Sequence, residues 1–374
     1  MPRVLHVISG LKVGGAEMAL HRLITSSCDS DFEHIVIALT SNGAMKQRFE
    51  EANIKLYMLN FKSSLFLQFF RLFMLIRKIK PDIVSTWMYH ADFFGGLAAR
   101  LAGVRKIIWG IRRSDVSVGG IRASAIICRL CAWLSGWLPE VIICVAEAAR
   151  RSHVSAGYEQ KRMVVVHNGF DIESLSATEE QRLVLRNECG FDSDVVVVGS
   201  LGRFNEAKDQ NNFVRAAGLV AQSFSNIMFL MVGRDLQPDN AELIAWIKQT
   251  GYERKFVLLG ERSDVPVCLS AMDVFCLHSR TEGFPNVLGE AMSLGLPCVA
   301  TDVGDAALLL GGSGLVVQKE DPHALAQGIE ELLMLTIEER VSLGQKARQR
   351  IENEFTLPRV RERFERIYKE VLKR

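Results

Sequence analysis

Two successive series of short, strongly apolar runs, separated by stretches long enough for helices, constrain this chain more than any other feature. The first series falls at residues 4–8, 34–39, 54–59, 82–85, 106–109 and 141–145. The second opens at Asp194 with 195–199 and continues at 227–232, 256–259, 274–277, 297–300 and 314–317. Runs this rich in Val, Ile and Leu, joined by crossover-length connections, predict parallel strands covered by helices on both faces. The expected class is α/β, with two Rossmann-like, doubly wound parallel-sheet domains, since 374 residues exceed what one core usually serves. Residues 1–170 form the predicted first domain and residues 171–356 the second. Asn168-Gly-Phe-Asp171 and the charged stretch after it, through Asn187, read as the linker region. Residues 357–374 carry Val360, Phe364, Ile367, Tyr368 and Val371 at helical spacing, a closing helix expected to pack back on the first domain. Ligands of such sheets bind beyond the carboxyl ends of the strands, so two such domains facing one another predict a deep cleft.

The formal net charge of +2 conceals an asymmetry. Residues 1–170 carry 22 Lys and Arg against 12 Asp and Glu, and the remainder carries 23 against 31. A basic first half suits an anionic membrane surface or an anionic ligand. Nucleic acid is not an expected partner, because it calls for denser basic clusters interleaved with stacking aromatics. The chain enters a strand pattern at Arg3 without a charged, apolar and small-residue leader, so no secretory signal is read and the cytoplasm is the expected compartment. The eight cysteines, including Cys144, Cys268, Cys276 and Cys298, stand in apolar contexts and read as small buried hydrophobes. Cys128-Arg-Leu-Cys131 has no second pair or histidines at ligand spacing, which favours helix packing over zinc.

Residues suited to chemistry cluster in the strand-to-helix turns. Gly10-Leu-Lys-Val-Gly14-Gly15-Ala-Glu17 leaves the first strand. Its glycines let backbone amides approach a phosphate and the helix start favours an anion, although an ordinary tight turn would read the same. The corresponding turn of the second half, Gly199-Ser-Leu-Gly202-Arg203-Phe-Asn-Glu206-Ala-Lys208-Asp209, carries two cations five residues apart. A guanidinium fork and a mobile ammonium can converge on a diphosphate and neutralise the charge left as a glycosidic bond breaks. Alternatively, Lys208 pairs with Glu206 or Asp209 on a solvated loop. The most specific segment is Glu282-Gly283-Phe284-Pro285-Asn286-Val287-Leu-Gly-Glu290. A helix starting near Pro285 puts Glu290 about one and a half turns inside it and leaves Glu282 in the entering loop, so one element grips both ends of a sugar nucleotide.

Together with Pro81-Asp-Ile-Val84, Trp87-Met-Tyr-His90-Ala-Asp92 and Asn168-Gly-Phe-Asp171, these segments resemble the family 4 retaining glycosyltransferases (glycosyl transferases group 1) of the two-Rossmann-domain, GT-B class, over nearly the whole chain. The resemblance implies that Arg203 and Lys208 hold the donor diphosphate and that Glu290 bonds the ribose hydroxyls. Glu282, with the segment Gly283, Phe284, Pro285, Asn286 and Val287, would contact the transferred sugar. Gly14 and Gly15 would complete the phosphate site, and His90 matches a family histidine that touches sugar or acceptor. The implied reaction moves a hexosyl or N-acetylhexosaminyl group from a nucleotide-sugar, with UDP the commonest nucleotide, to a saccharide or lipid-linked saccharide in polysaccharide, lipopolysaccharide or glycolipid biosynthesis. The implied catalytic set is Glu282, Arg203, Lys208 and His90. Two segments depart from the family pattern, Ser85-Thr86-Trp87 in place of a His-x-His and Gly304-Asp305-Ala-Ala-Leu308 in place of a Gly-Gly-x-x-Glu. They bear on acceptor and sugar preference and leave the diphosphate site intact.

No Asp-x-Asp stands at a strand end; Asp29-Ser-Asp31 and Asp192-Ser-Asp194 read as polar turns, so neither a metal nor another cofactor is expected. Residues 61–80 are rich in Leu and Phe with Lys62, Arg71, Arg77, Lys78 and Lys80 interspersed. Arg71 interrupts the run of about 20 apolar residues that a bilayer span requires. A core helix and an interfacial helix both remain open there, as at residues 122–137. With the basic first half they point to peripheral contact with the inner face of the cytoplasmic membrane. A sugar-nucleotide epimerase is disfavoured by the paired glutamates, and a glycan phosphorylase by the lack of a pyridoxal-lysine motif. A non-catalytic sugar-nucleotide-binding subunit is disfavoured by Arg203, Lys208, Glu282 and Glu290 occurring together.

Overall fold

The apolar runs become parallel strands, buried on both faces in the middle of each sheet and partly exposed at its edges. In order they are β1 (Arg3–Ile8), β2 (Glu33–Ala38), β3 (Lys55–Met58), β4 (Ile83–Trp87), β5 (Ile107–Ile111), β6 (Val141–Cys144) and β7 (Met163–Val165), then β8 (Val196–Leu201), β9 (Ile227–Val232), β10 (Phe256–Gly260), β11 (Val274–Leu277), β12 (Cys298–Thr301) and β13 (Leu315–Val317). The structure is a computed structural model describing residues 1–12, 14–26, 30–113 and 122–374. Val13 of the glycine-rich turn, Cys28, and Asp29 of the Asp29-Ser-Asp31 turn lie outside the described residues. The chain divides into two units, Met1–Gly169 with Leu357–Arg374, and Phe170–Thr356.

The first unit holds a seven-stranded sheet in the order β3-β2-β1-β4-β5-β6-β7, and the second a six-stranded sheet in the order β10-β9-β8-β11-β12-β13. All ladders are parallel; β1 pairs β2 with Ile8 opposite Ala38 and β4 with Ile8 opposite Trp87. In both sheets the winding reverses at the first strand. β1 lies between β2 and β4, and β8 between β9 and β11. Such switch points open a crevice at the strands' carboxyl ends. The turn of Gly14 and Gly15 follows β1, and that of Arg203 and Lys208 follows β8, so chain winding alone brings both turns to the binding edge of their sheets.

Two features differ from expectation. β7 is a seventh strand of the first sheet, three residues long with Val164 exposed, formed from the short apolar run 163–166 that the sequence reading did not count as a strand. The stretch read as linker contains a helix of the second unit, Glu179–Glu188, closed by a capping box between Thr178 and Gln181. It is anchored by Arg186, buried at its far end. The Arg186 guanidinium donates to Ala271 O (3.0 Å), Val195 O (2.7 Å) and Asp273 Oδ2 (3.1 Å).

The last helix, Leu357–Lys373, belongs to the first unit and buries Val360, Phe364, Tyr368 and Val371. Phe364 stacks on Trp87 with centroids 6.1 Å apart, and Tyr368 meets Phe32 edge-on at 5.4 Å. Beneath this helix runs a directed chain of hydrogen bonds. Trp87 Nε1, which can only donate, gives its proton to His6 Nδ1 at 3.2 Å. His6 Nε2 must then carry the hydrogen and donates to His34 Nδ1 at 3.0 Å, leaving His34 Nε2 to donate to Ser30 Oγ at 3.3 Å. Both rings are neutral in this arrangement. Burial pushes His34 down to about 4 from an ordinary 6.5, and burial together with His34 lowers His6. Between those values the unfolded chain binds protons that the folded one refuses. The histidines' contribution to stability is therefore complete above pH 6.5 and is lost as pH falls toward about 4. Melting temperature followed across that interval should fall more steeply for the wild type than for His34→Gln, which has no proton to bind there.

Candidate active site

The site is built on the second unit from two loops at the switch point. The first leaves β8 as Gly202-Arg203-Phe204-Asn205-Glu206-Ala207-Lys208-Asp209 and enters the helix Gln210–Ser223. Asn205 Oδ1 accepts from Lys208 N at 2.9 Å, and Gln210 Nε2 donates to Arg203 O at 2.9 Å, so the loop is tied at both ends. Asp209 adopts a left-handed φ of 54°, which turns the chain sharply from loop to helix. The second loop leaves β11 as His278-Ser279-Arg280-Thr281-Glu282-Gly283-Phe284-Pro285 and enters the helix Asn286–Ser293.

The two loops are stitched together. Arg280 N and Thr281 N both donate to Ala207 O, at 2.9 and 3.2 Å. His278, buried and held neutral with its acidity pushed to about 4 by desolvation, donates from Nδ1 to Lys208 O at 2.6 Å. The side chains complete the seam: Lys208 Nζ lies 2.5 Å from Glu282 Oε1, and Ser279 Oγ donates to the same oxygen at 2.7 Å. Lys208 thus pairs with Glu282, 74 residues away, and not with Glu206 or Asp209 beside it. Those two carboxylates are instead held by Arg280, at 3.2 and 3.5 Å. Two residues singled out from sequence are in direct contact, in a setting only partly open to water, where such a pair interacts more strongly than on a free surface.

Arg203 lies exposed at the start of the first loop, five residues before Lys208. Phe284, Pro285 and Val287 are buried. Phe284 stacks on Phe170 at 6.1 Å and meets Phe355 at 5.8 Å, so these side chains shape the loop from beneath, leaving backbone to face a ligand. Gly283 and Asn286 are partly exposed, and Glu290 stands partly exposed one turn inside the helix. Leu288 N donates to the Pro285 carbonyl at 3.1 Å, and the helix dipole favours negative charge or hydroxyl oxygen at that end.

A third loop, after β12, braces the second. Gly304 has φ of 57°, and a Cβ there would fall 2.3 Å from Gly283 O, so no other residue fits the close approach. Asp305 N donates to Gly283 O at 2.9 Å, and Thr301 Oγ1 donates to Ser279 O at 2.7 Å. The departure at Gly304-Asp305 therefore lies directly against the Glu282 loop. His278 escaped the sequence reading, and the bracing roles of Ser279 and Gly304 were not read from it. The one available signal for His278 was its position immediately after an apolar strand.

The first unit carries the remaining candidates. Gly14 precedes the helix Gly15–Thr25, with Gly15 exposed, and a Cβ on Gly14 would meet the Glu17 carboxylate at 2.6 Å. His90 lies in the first turn of the helix Tyr89–Leu101, half-buried, its pKa lowered by burial, so that a neutral imidazole is presented. Met88, with φ of 75°, makes the turn between β4 and that helix. Cys128 and Cys131 are buried free thiols in the helix Arg122–Leu134; the Cys131 thiol donates to Tyr89 O at 3.7 Å. Among the described residues no group of three His, Cys, Asp or Glu is arranged to hold a metal ion.

Residues 13–174 match the family model described as Glycosyltransferase Family 4, and residues 181–350 match Glycosyl transferases group 1. The chain is 24% identical over 303 residues to the UDP-Gal:alpha-D-GlcNAc-diphosphoundecaprenol alpha-1,3-galactosyltransferase of Escherichia coli, covering 79% of this chain and 77% of that protein. It is 25% identical over 320 residues to the capsular polysaccharide biosynthesis glycosyltransferase CapM of Staphylococcus aureus, covering 81% and 80%. In fold it is similar to Anabaena HepE, solved in complex with UDP, with a TM-score of 0.86 and 21% identity over 98% of this chain and 100% of that one. Two doubly wound parallel sheets, a GT-B likeness and two family matches that span most of the sequence lead to one conclusion: the chain belongs to the family 4, group 1 glycosyltransferases.

Proposed function

We propose that this glycosyltransferase moves a sugar from UDP to a saccharide or lipid-linked saccharide in surface-polysaccharide assembly. It does so with retention of anomeric configuration, without a metal ion, and in peripheral contact with the cytoplasmic face of the membrane. The observation that carries this reading is the contact of Glu282 with both Lys208 and Ser279 at the switch point of the second sheet. A cation there, with an exposed Arg203 in the same loop, suits a diphosphate. The neighbouring helix start and its Glu282 and Glu290 suit hydroxyl-bearing sugar and ribose. The printed names of the relatives support the acceptor class: that of Escherichia coli is named for a diphosphoundecaprenol-linked GlcNAc, and that of Staphylococcus aureus for capsular polysaccharide.

In the reaction the acceptor oxygen bonds to the anomeric carbon on the face from which the nucleotide departs. The bond from that carbon to the β-phosphate oxygen breaks with its electron pair going to the phosphate, and the acceptor's proton passes to a phosphate oxygen of the leaving UDP. Lys208 and Arg203 stabilise the charge gathered on that diphosphate. Glu282 orients the sugar and, through its ion pair, the ammonium. Gly14 and Gly15 offer backbone to the phosphates, and His90 offers a neutral imidazole to sugar or acceptor. Incubation with an α-linked UDP-sugar and acceptor in excess chelator, followed by NMR of the anomeric proton, tests the reading. An α-linked product at an undiminished rate is expected. A β-linked product would overturn retention, and complete chelator-sensitive loss would overturn metal independence.

A further inference from the structure

Three helices of the first unit lie side by side: Tyr89–Leu101 packs against both Leu65–Ile79 and Arg122–Leu134. Unlike ordinary surface helices, the flanking two are apolar on their outer faces as well as their inner ones. Leu65–Ile79 buries Gln68, Leu72, Ile76 and Ile79 and turns outward Phe66, Phe70 and Met74, one residue every four along a single stripe, with Phe66 81% exposed. Arg122–Leu134 and the turn after it expose Ile126, Leu130, Trp133 and Trp137, spaced by four, three and four, with Trp133 also 81% exposed. Apolar surface of this size and regularity marks a contact with something other than water.

The charges say with what. Residues 61–80, 89–106 and 122–139 contain a single carboxylate, Asp92, and it is fully buried. Exposed Arg71, Arg77, Lys78 and Arg129 lie among the apolar residues. The Arg77 guanidinium lies 5.7 Å from the Phe73 ring and that of Arg100 lies 5.1 Å from the Trp137 ring, each cation set against an aromatic as at a polar–apolar boundary. Among the described residues no helix is long and apolar enough to cross a membrane. Aromatic and aliphatic stripes with interspersed cations and no exposed acid complement a surface that is apolar beneath and anionic above.

We propose that the face formed by Leu65–Ile79 and Arg122–Leu134 docks on anionic phospholipid, with Phe66, Phe70 and Trp133 entering the acyl boundary and Arg71, Arg77 and Lys78 meeting headgroup phosphates. Its purpose, bringing the enzyme to a lipid-borne acceptor, rests on the function proposed above; its measurement does not. Co-sedimentation of the full chain with vesicles of phosphatidylcholine alone, or mixed with phosphatidylglycerol, is the test. Binding should favour the mixed vesicles, weaken in high salt, and fall by roughly ten-fold or more in Phe66→Ser/Phe70→Ser/Trp133→Ser and in Arg71→Glu/Arg77→Glu. These side chains are exposed, so the variants should fold and should turn over a water-soluble acceptor as the wild type does. Equal binding to both vesicles, or a triple variant that binds like the wild type, overturns the proposal. So does a wild type that sediments as a dimer, ignores vesicles and becomes monomeric in the triple variant, since the face would then meet a second copy. Docking without transfer to any lipid-linked saccharide would count against the acceptor reading alone. Transfer to such an acceptor in detergent without docking would count against this face and the peripheral contact, and would leave the transfer reaction standing.

Discussion

Lys208→Ala should lower the rate of nucleotide release by about 10²- to 10³-fold, the loss typical when one preorganised group aimed at developing negative charge is removed. Lys208 is placed for that effect. Its backbone is fixed by Asn205 Oδ1 and His278, and its ammonium by Glu282 Oε1 at 2.5 Å, so it needs little reorganisation when charge appears on the leaving diphosphate. The fall should appear chiefly in kcat, because charge on the phosphate is greatest as the bond breaks; a change confined to KM would mean equal binding of ground and transition states. Lys208→Arg retains the charge without the same seat between Asn205 and Glu282, and an intermediate rate is expected. Initial rates at saturating donor decide the matter, and a Lys208→Ala enzyme with unchanged kcat would remove the residue from the site.

Asp273→Ala should cost the second unit about 3 kcal/mol of stability. Asp273 Oδ2 accepts from Arg186 Nη1 at 3.1 Å and from Val197 N at 2.8 Å, while Oδ1 accepts from Arg182 Nη2 at 3.2 Å. One carboxylate therefore ties the helix Glu179–Glu188 to the first strand of the second sheet. The Arg186 side chain is only 5% exposed, so loss of the carboxylate leaves a guanidinium in a poorly hydrated place with two carbonyls and no counter-charge. The double variant Asp273→Ala/Arg186→Met should recover part of the loss, because no unpaired buried charge remains. Denaturant midpoints of the three proteins give the comparison.

The sheets were legible because their central strands are buried on both faces and read as unbroken apolar runs. β7 was missed although Met163-Val-Val-Val166 is such a run; it is short, edge-lying and has Val164 exposed. The helix Glu179–Glu188 was read as linker because it buries little apolar surface, with Leu183 and Val184 themselves exposed among charged and amide side chains. Its capping box at Thr178 and Gln181 was present in the sequence and was the overlooked signal. In the site, the residue types were readable and their partnerships were not. Lys208 had acidic neighbours at 206 and 209, and only the backbone stitching of two loops shows that Arg280 occupies those and leaves Lys208 to Glu282. Residues 61–80 could be core or interfacial by composition. Folding separates them by face, with Leu72 and Ile76 inward and Phe66 and Phe70 outward, so the helix is both core and surface, a division that neighbouring packing decides.

The central claim is that the Lys208–Glu282 element grips a nucleotide-sugar for transfer. It is tested most directly by incubating the protein with a panel of nucleotide sugars and measuring nucleotide release with and without a lipid-diphosphate-linked saccharide. The account expects UDP to be released from one donor, and acceptor to raise that release well above the slow hydrolysis seen without it. A protein that binds UDP yet releases nothing from any donor, with or without acceptor, would contradict it.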